Sequence, residues 1–396
     1  MKNKISVIII LLAISLSFCS NNEEQYVILV SFDGFRYDYT DRVKTPNFDY
    51  LKKWGIKAKS LKPIFPSFTF PNHYAIATGC YADKHGILGN VFKTNLGTYS
   101  YRDKNTVRDA KWYGAEPIWV TAEKNGIITA TYFWVGSEAP ILGYYPTYYK
   151  NYENGIDPKK KVDQAIDWLT LPIDERPRLV CLYFNEPDHA GHVFGENSIE
   201  VNKEIENSDN VLGYLLRSIT ELDIYKKINI VIVSDHGMVN VSNKRMINVD
   251  DFNISAIIDG NGPIMSIMTK DTIFDSTALF NIPNTTAMSM SEANYLHYDN
   301  PLYDFLLVAD SGWMMYTSDD FKKYNGELPV KGMHGYNSSD INMHAIFYAY
   351  GPIFKKNIEI DTFELIHIYP LLCKILNIDP YENADGRLEV LEPILR

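Results

Sequence analysis

Short, unbroken apolar runs recur along the chain, and each is about as long as one strand. A strand that is covered on both faces has no polar side, so runs of this kind are typical of buried parallel strands. The pattern predicts five of them, at Tyr26 to Phe32, Ile127 to Phe133, Leu179 to Phe184, Ile228 to Ser234 and Ala345 to Tyr350.

Apolar residues at helical spacing lie between these runs. They predict four helices, at Pro46 to Trp54, Pro71 to Thr78, Pro158 to Leu169 and Ile199 to Thr220. Three of these helices have a proline in the first turn, where its missing N–H has no helical acceptor to lose. The alternation predicts an α/β fold with a doubly wound, mostly parallel sheet and helices on both faces.

The chain is long enough for one large domain. It has 396 residues, of which 46% are hydrophobic, and this content excludes a disordered chain. Residues 25–396 are predicted to form a single catalytic domain. Residues 253–326 are rich in Asp, Asn, Ser and Tyr and fit the alternation poorly, so they are predicted to be an insertion or small subdomain.

The N-terminus has the pattern of an export signal. Two lysines lie within Met1 to Lys4, an apolar run extends from Ile5 to Phe18, and Cys19 precedes a polar stretch. The run is shorter than the roughly 20 residues that a transmembrane helix needs. Residues 1–19 are therefore predicted to be a signal peptide with a lipobox, although Phe18 stands where a small residue is usual. We expect a periplasmic or outer-membrane lipoprotein anchored by lipid at Cys19, with plain secretion as the alternative.

The charge of the chain limits the partners that it can bind. A formal net charge of -11 disfavours a protein that binds nucleic acid polymers by neutralising phosphates. The sequence also has no Lys/Arg run long enough to form a phosphate-binding stripe. A phosphate site in this chain therefore needs local positive charge, and bound metal ions are its natural source.

Acidic and histidine side chains follow three of the predicted strands. The candidates are Asp33 in SFDGFR, Asp188 and His192 in NEPDHAGH, Asp235 and His236 in SDHGM, and His334 in GMHGYNSSD. The carboxyl ends of parallel strands face one crevice, so these motifs are expected to converge. Three carboxylates and three imidazoles are enough for two zinc sites with open positions.

The metal-site prediction depends on the conjunction of these motifs. A single aspartate after a strand is more often a turn former or a helix cap. A single histidine is more often a surface or core group, and His85, His297 and His367 are given no role for this reason.

Thr69 is the candidate nucleophile. It lies in PIFPSFTFPNHYAIATG, two residues before Pro71 and the predicted helix. The positive end of the helix dipole stabilises an alkoxide there, and a metal ion can lower the pKa of the hydroxyl. A helix-capping threonine is the alternative, which the neighbouring ligand motifs disfavour.

These motifs resemble those of the nucleotide pyrophosphatase/phosphodiesterase family of the alkaline phosphatase superfamily. The likeness runs from Tyr26 to about Lys355 and includes SFDGFR, TFPNHY, EPDHAGH, SDHGM and MHGY in this order. It implies an alkaline-phosphatase-like fold with two zinc ions. The implied ligands are Asp33, Asp235 and His236 for one ion and Asp188, His192 and His334 for the other, with Thr69 bridging.

The same resemblance implies residues that bind substrate. Asn90, in HGILGN, matches an asparagine that donates to a phosphoryl oxygen, while Phe70 and Tyr152 match positions that sandwich a nucleobase. The chain departs from the family in reading FWVG and HGYN where FWPG and HGYDN are frequent. Neither departure touches an implied ligand, but both segments border the implied substrate pocket.

The predicted reaction is hydrolysis of a phosphodiester or phosphoanhydride through a covalent phosphothreonine. Nucleoside triphosphates and dinucleotides, cleaved to a nucleoside monophosphate, are the preferred substrates. A choline- or lysophospholipid-type phosphodiester is the alternative, because an aromatic pair also holds a quaternary ammonium group. A zinc-binding lipoprotein without catalysis is the non-enzymatic alternative. Residues 66–73 contain no cysteine for a sulfatase, and His73 is interpreted as structural, which disfavours a phosphomonoesterase.

Overall fold

The computed structural model describes residues 24–269 and 274–396. The predicted signal peptide, with Cys19, lies outside the described residues. Within the described part, no helix combines the length and the apolar character that a membrane span requires.

Strands and helices alternate through much of the described chain. The strands are β1 (Tyr26–Phe32), β2 (Ile56–Ala58), β3 (Leu61–Lys62), β4 (Val91–Thr94), β5 (Gly97–Ser100), β6 (Thr129–Tyr132), β7 (Tyr148–Lys150), β8 (Leu179–Phe184), β9 (Ile228–Val233), β10 (Val239–Asn240), β11 (Met246–Asn248), β12 (Ala256–Asp259), β13 (Ile264–Thr269), β14 (Thr285–Ser289), β15 (Phe305–Ala309), β16 (Met314–Tyr316), β17 (Gly332–Met333), β18 (Phe347–Tyr350), β19 (Ile358–Ile360) and β20 (Phe363–Glu364). The α-helices are α1 (Pro46–Trp54), α2 (Thr69–Thr78), α3 (Ala82–His85), α4 (Lys104–Val107), α5 (Ile118–Lys124), α6 (Pro158–Leu169), α7 (Asp188–Phe194), α8 (Ile199–Thr220), α9 (Thr277–Phe280), α10 (Met290–Ala293), α11 (Ser318–Lys323) and α12 (Ile368–Leu376).

A sheet of eight strands, in the order β19-β2-β18-β9-β1-β8-β6-β7, forms the centre of the fold. Parallel pairs join β9 to β1, β1 to β8, β8 to β6 and β6 to β7. This arrangement confirms the predicted α/β fold with a mostly parallel sheet.

The prediction that Ala345 to Tyr350 is a parallel strand is wrong. The strand begins at Phe347 and runs antiparallel to both β9 and β2. The chain reaches it from the loop that carries His334, which already lies at the carboxyl edge of the sheet. A strand entered from that edge without a crossover helix must run back in the opposite direction.

Helices cover both faces of the sheet, which explains the unbroken apolar runs. Successive side chains of a strand point to opposite faces. In β1, Ile28 and Val30 pack in one core with residues of α1, α6 and α8. Val27 and Leu29 pack in a second core with residues of α2, α5 and α12.

Three of the four predicted helices have the predicted bounds, namely α1, α6 and α8. The fourth, α2, begins at Thr69 and not at Pro71. A proline costs no helical hydrogen bond anywhere in the first turn, so it does not fix the first residue. The apolar pattern does not predict β2, β7 and β19, because each has only three residues.

A second, antiparallel sheet lies within residues 253–326, in the strand order β12-β13-β15-β14. Met265, Ile267 and Leu307 form part of a separate apolar core beneath it. An antiparallel sheet needs no crossover helices, which explains why this segment departs from the strand and helix alternation. The assignment of 253–326 as a subdomain stays a prediction.

Candidate active site

The six predicted ligand residues converge at the carboxyl edge of the central sheet. Asp33 follows β1, the Asp235 and His236 pair follows β9, and Asp188 is the first residue of α7 after β8. The ligand atoms form two groups, within each of which all atoms lie no more than 4.8 Å apart. These groups are Asp33 with Asp235 and His236, and Asp188 with His192 and His334.

The turn after β1 brings two of the carboxylates together. Gly34 has a φ of +64°, and a Cβ at this position would lie 2.8 Å from the Cβ of Asp188. A side chain there would strain the backbone and push Asp188 away from Asp33. The N–H of Gly34 also donates to Oδ1 of Asp235 at 3.1 Å. One glycine therefore positions carboxylates from three different motifs.

The three histidines direct their Nε2 atoms into the site. Each Nδ1 lies 2.9 Å from a backbone carbonyl oxygen, in the pairs His192 with Gly332, His236 with Gly237 and His334 with Ser67. A carbonyl only accepts hydrogen bonds, so Nδ1 carries the proton and Nε2 presents a lone pair. The Nε2 atoms of His192 and His334 are 3.2 Å apart. Two lone pairs at that distance repel each other unless both atoms bind a cation.

The carboxylates show the same need for a cation. Oδ1 of Asp33, Oδ1 of Asp188 and Oδ2 of Asp235 are buried without a hydrogen-bond partner. Burial, together with the nearby carboxylates of Asp235 and Asp188, raises the pKa of Asp33 well above its usual value. Buried carboxylates without partners are strongly unfavourable. The donor set of carboxylate oxygens and imidazole nitrogens therefore fits bound metal ions.

Thr69 is the first residue of α2, and its hydroxyl faces the ligand cluster. Its Oγ1 lies 3.1 Å from Nε2 of His236. The dipole of an α-helix places partial positive charge at its N-terminal end. This end of α2 can therefore stabilise negative charge on the hydroxyl oxygen and on a phosphoryl group beside it.

Asn90 lies next to this helix end. The backbone N–H of Phe70 donates to Oδ1 of Asn90 at 2.9 Å. Because the side-chain oxygen accepts this bond, the NH₂ group is the part of Asn90 that can donate to a ligand. This orientation is the one that the predicted contact with a phosphoryl oxygen requires.

Two residues outside the predicted set support the cluster. The hydroxyl of Tyr183, in β8, donates to Oδ2 of Asp33 at 2.5 Å. The Nδ1 of His73 donates to the backbone oxygen of Thr69 at 3.0 Å and lies 3.3 Å from Oδ2 of Asp235. A tyrosine inside an apolar run is indistinguishable from an ordinary core residue in the sequence. The complete burial of His73 agrees with a structural role, and its contacts place that role beside Thr69.

A cavity of about 560 Å³ opens beside these groups. The predicted residues in its lining are Asp33, Thr69, Phe70, Asn90, Tyr152, Asp188, His192 and His334. Asp235 and His236 are completely buried and do not belong to this lining. The structure therefore brings the predicted stacking residues into the same cavity as the group of Asp188, His192 and His334. The lining also includes the charged residues Arg102, Lys104 and Glu138, for which the sequence motifs predict no role.

Comparison with known sequences identifies relatives along almost the whole chain. The family described as type I phosphodiesterase/nucleotide pyrophosphatase matches residues 27–337. Ectonucleotide pyrophosphatase/phosphodiesterase family member 5 of Homo sapiens is 34% identical over 387 residues, which cover 94% of this chain and 79% of that protein. Venom phosphodiesterase 2 of Crotalus adamanteus is 35% identical over 382 residues, which cover 91% of this chain and 46% of that protein. The chain thus spans about half the length of the venom phosphodiesterase.

Solved structures share the architecture. Murine ectonucleotide pyrophosphatase/phosphodiesterase 5, inactive through a threonine-to-alanine change and in complex with AMP, matches with a TM-score of 0.87 at 31% identity. The match covers 94% of this chain and 100% of that chain. The human protein matches with a TM-score of 0.87 at 32% identity. The predicted fold class is confirmed by this likeness.

Proposed function

The chain belongs to the type I phosphodiesterase/nucleotide pyrophosphatase family, and we propose that it is an exported, two-zinc hydrolase that cleaves nucleotide phosphodiester or phosphoanhydride bonds. The observation that carries the proposal is the convergence of Thr69 and both ligand groups beside one cavity. Export is inferred from residues 1–19 of the sequence, with lipid attachment at Cys19 as part of the same proposal.

Each ligand group holds one zinc ion in this proposal. Asp33, Asp235 and His236 form the inner site, and Asp188, His192 and His334 form the outer site. When bound, zinc lowers the pKa of the attacking hydroxyl and stabilises charge on the phosphoryl and leaving oxygens. Three carboxylates contribute about -3 and two zinc ions about +4, so the occupied site carries about +1, which suits the single negative charge of a phosphodiester.

Thr69 acts as the nucleophile. Its Oγ1 loses a proton to solvent and forms a bond to phosphorus opposite the leaving oxygen. The bond between phosphorus and that oxygen breaks, and the leaving group departs with the bonding electron pair. The N-terminus of α2 and the NH₂ group of Asn90 stabilise the charge on the phosphoryl oxygens. A water molecule then forms a bond to phosphorus opposite Oγ1, and the bond between phosphorus and Oγ1 breaks. A proton from the water restores the hydroxyl of Thr69, and the nucleoside monophosphate leaves. His73 holds the backbone of Thr69 in place during both steps through its hydrogen bond to the carbonyl oxygen.

The lining of the cavity supports a nucleotide as the substrate. Phe70 and Tyr152 offer aromatic faces to a base, and a related protein of the same fold holds AMP. Arg102 and Lys104 add positive charge to the same lining. Its carboxylates are Asp33 and Asp188, which the proposed zinc ions neutralise, and Glu138, which is paired with Arg108. This charge attracts the phosphates of a nucleoside triphosphate or dinucleotide and repels the ammonium group of a choline ester. The choline- or lysophospholipid-type substrate is therefore the less favoured class.

A panel of substrates tests the proposed function directly. We expect nucleoside triphosphates and dinucleotides to have the highest kcat/KM when they are compared with glycerophosphocholine and nitrophenyl phosphodiesters on one enzyme preparation. A chelator should abolish every activity, and added zinc should restore it. A higher kcat/KM for glycerophosphocholine would contradict the substrate class. The absence of any turnover with zinc present would favour a zinc-binding protein without catalysis.

Replacement of Tyr152 separates base recognition from the chemical step. We expect Tyr152→Ala to cost about 1 to 3 kcal/mol in kcat/KM for a nucleotide ester, as measured for base stacking on aromatic side chains. The kcat/KM for bis(4-nitrophenyl) phosphate should change little, since this substrate has no base to lose.

The measurement is kcat/KM for the nucleotide ester divided by kcat/KM for bis(4-nitrophenyl) phosphate, in the wild type and in the variant. Tyr149→Ala is a matched control, because Tyr149 is 40% exposed and Tyr152 44%, and only Tyr152 is in the cavity lining. An unchanged ratio in Tyr152→Ala would remove base stacking at this position and favour a choline- or lipid-type substrate.

A further inference from the structure

A buried carboxylate fixes the position of Tyr152. Tyr152 lies just after β7, an edge strand of the central sheet, in a stretch without strand or helix at 151–157. Its backbone N–H donates to Oε1 of Glu138 at 2.6 Å. Glu138 is only 8% exposed. We propose that Glu138 is a positioning residue that sets substrate specificity by holding Tyr152 where its ring contacts a nucleobase. This inference rests on the proposed nucleotide substrate.

The second oxygen of Glu138 is fixed from another segment of the cavity wall. Oε2 accepts a hydrogen bond from Nε of Arg108 at 2.9 Å. Arg108 directly follows α4, of which Lys104 and Val107 line the cavity. The carboxylate therefore joins the segment that carries Tyr152 to the α4 segment. Glu138 itself lines the cavity, and both of its oxygens are engaged, one by a charged donor, so its carboxylate is held in one orientation. In the proposed role it acts on a substrate through Tyr152.

Two further rings support Tyr152 on the side of the metal ligands. The ring of Phe133 lies 5.0 Å from that of Tyr152 and 5.3 Å from that of Tyr183. Phe133 has a φ of +56°, which is unfavourable for a bulky side chain and persists where the surrounding structure enforces it. Tyr183 in turn donates to Asp33. The three rings thus connect the proposed base site to the ligand cluster.

Among the three rings, that of Tyr152 is carried by the stretch at 151–157, which contains neither strand nor helix. Tyr183 belongs to β8, and Phe133 directly follows β6. Loss of the bond to Glu138 would let the segment at 151–157 adopt further conformations. A nucleotide would then have to order the segment on binding, which raises KM. A substrate without a base would not bear this cost, and the chemical step at Thr69 would be unaffected.

A double-mutant cycle tests the inference. The variants are Glu138→Ala, Tyr152→Ala and their combination, and the substrates are the 4-nitrophenyl ester of thymidine monophosphate and bis(4-nitrophenyl) phosphate. The ratio to be compared is kcat/KM for the nucleotide ester divided by kcat/KM for bis(4-nitrophenyl) phosphate. We expect Glu138→Ala to lower this ratio about 2- to 10-fold, through a higher KM for the nucleotide ester. The double variant should have the same ratio as Tyr152→Ala, because Glu138 acts through Tyr152.

If the ratio in the double variant fell by the product of the two single-variant losses, Glu138 would act on the substrate independently of Tyr152. That result would overturn the positioning role. A lower ratio in Tyr152→Ala with an unchanged ratio in Glu138→Ala would overturn this inference alone. An unchanged ratio in Tyr152→Ala would overturn the base site and this inference together. If Glu138→Ala does not fold, Glu138→Gln replaces it. Its amide oxygen still accepts a hydrogen bond from the Tyr152 N–H, so the kcat/KM ratio should fall by less than in Glu138→Ala.

Glu123→Ala is the matched control for a purely structural effect. Oε1 of Glu123 accepts hydrogen bonds from the backbone N–H groups of Thr129 and Thr147, each at 2.9 Å. Glu123 therefore stabilises the chain just before β7, which leads to Tyr152, but it does not line the cavity. We expect this variant to lower the melting temperature and to leave the ratio of kcat/KM values unchanged. A fall in the ratio equal to that of Glu138→Ala would overturn the specific role of Glu138.

Discussion

Thr69→Ala is expected to abolish turnover, with a loss of at least about a thousandfold in kcat, while the variant still binds two zinc ions. The Oγ1 atom faces the ligand cluster, 3.1 Å from Nε2 of His236, and no other hydroxyl is predicted to replace it. The six proposed ligands are untouched by the change, so the metal content should be that of the wild type. The measurements are kcat on a nucleotide nitrophenyl ester and the zinc content per chain.

Thr69→Ser is the control for this substitution. It keeps a hydroxyl at the N-terminus of α2 and should retain part of the activity. Melting temperatures of both variants report whether the fold is intact. Turnover by Thr69→Ala within about tenfold of the wild type would remove the assignment of Thr69 as the nucleophile.

The second large effect is expected at the outer zinc site. Asp188→Ala or His334→Ala should deplete the zinc bound there and abolish turnover, because each leaves only two protein ligands in its group. The carboxylates that remain, Asp33 and Asp235 and, in His334→Ala, also Asp188, would then be less well neutralised and would repel one another. The melting temperature should therefore fall as well, and a chelator should have the same effect on the wild type.

Metal analysis of the purified variants measures this effect. His297→Ala and Asp319→Ala are matched controls, because their side chains are 51% and 91% exposed and lie outside both ligand groups. Both controls should bind two zinc ions and keep full activity. Two tightly held zinc ions in Asp188→Ala or His334→Ala would show that the proposed ligand set is wrong.

The metal-ligand candidates could be predicted from the sequence because of their places in the fold. Asp33, Asp188 and Asp235 each come shortly after an unbroken apolar run, and parallel strands carry such positions to one edge of the sheet. The prediction therefore required only the type and direction of three strands. Strand direction does not divide the ligands into two groups or assign roles to Asn90, Phe70 and Tyr152, and these predictions came from the family resemblance.

The residues that support the site could not be predicted in the same way. Tyr183 reaches Asp33 across 150 positions of sequence, and His73 reaches Asp235 across 162. Neither contact leaves a periodic or local signal, because it depends on how strands and helices pack. The sequence likewise does not distinguish Glu138 from the other acidic residues, because its partners, Arg108 and the N–H of Tyr152, are found only in the folded chain.

Three features could be predicted from the amino-acid pattern alone, namely the α/β class, the bounds of three helices and the residues at the carboxyl edge, because each follows from local periodicity and from the direction of parallel strands. Three others became visible in the folded chain, namely the antiparallel direction of β18, the inward orientation of the histidine Nε2 atoms and the support of Tyr152 by Glu138. Each of these depends on which edge of the sheet the chain has reached, or on a hydrogen-bond partner from a distant segment. Local propensity contains neither kind of information, since packing of the assembled sheet and helices brings those partners together.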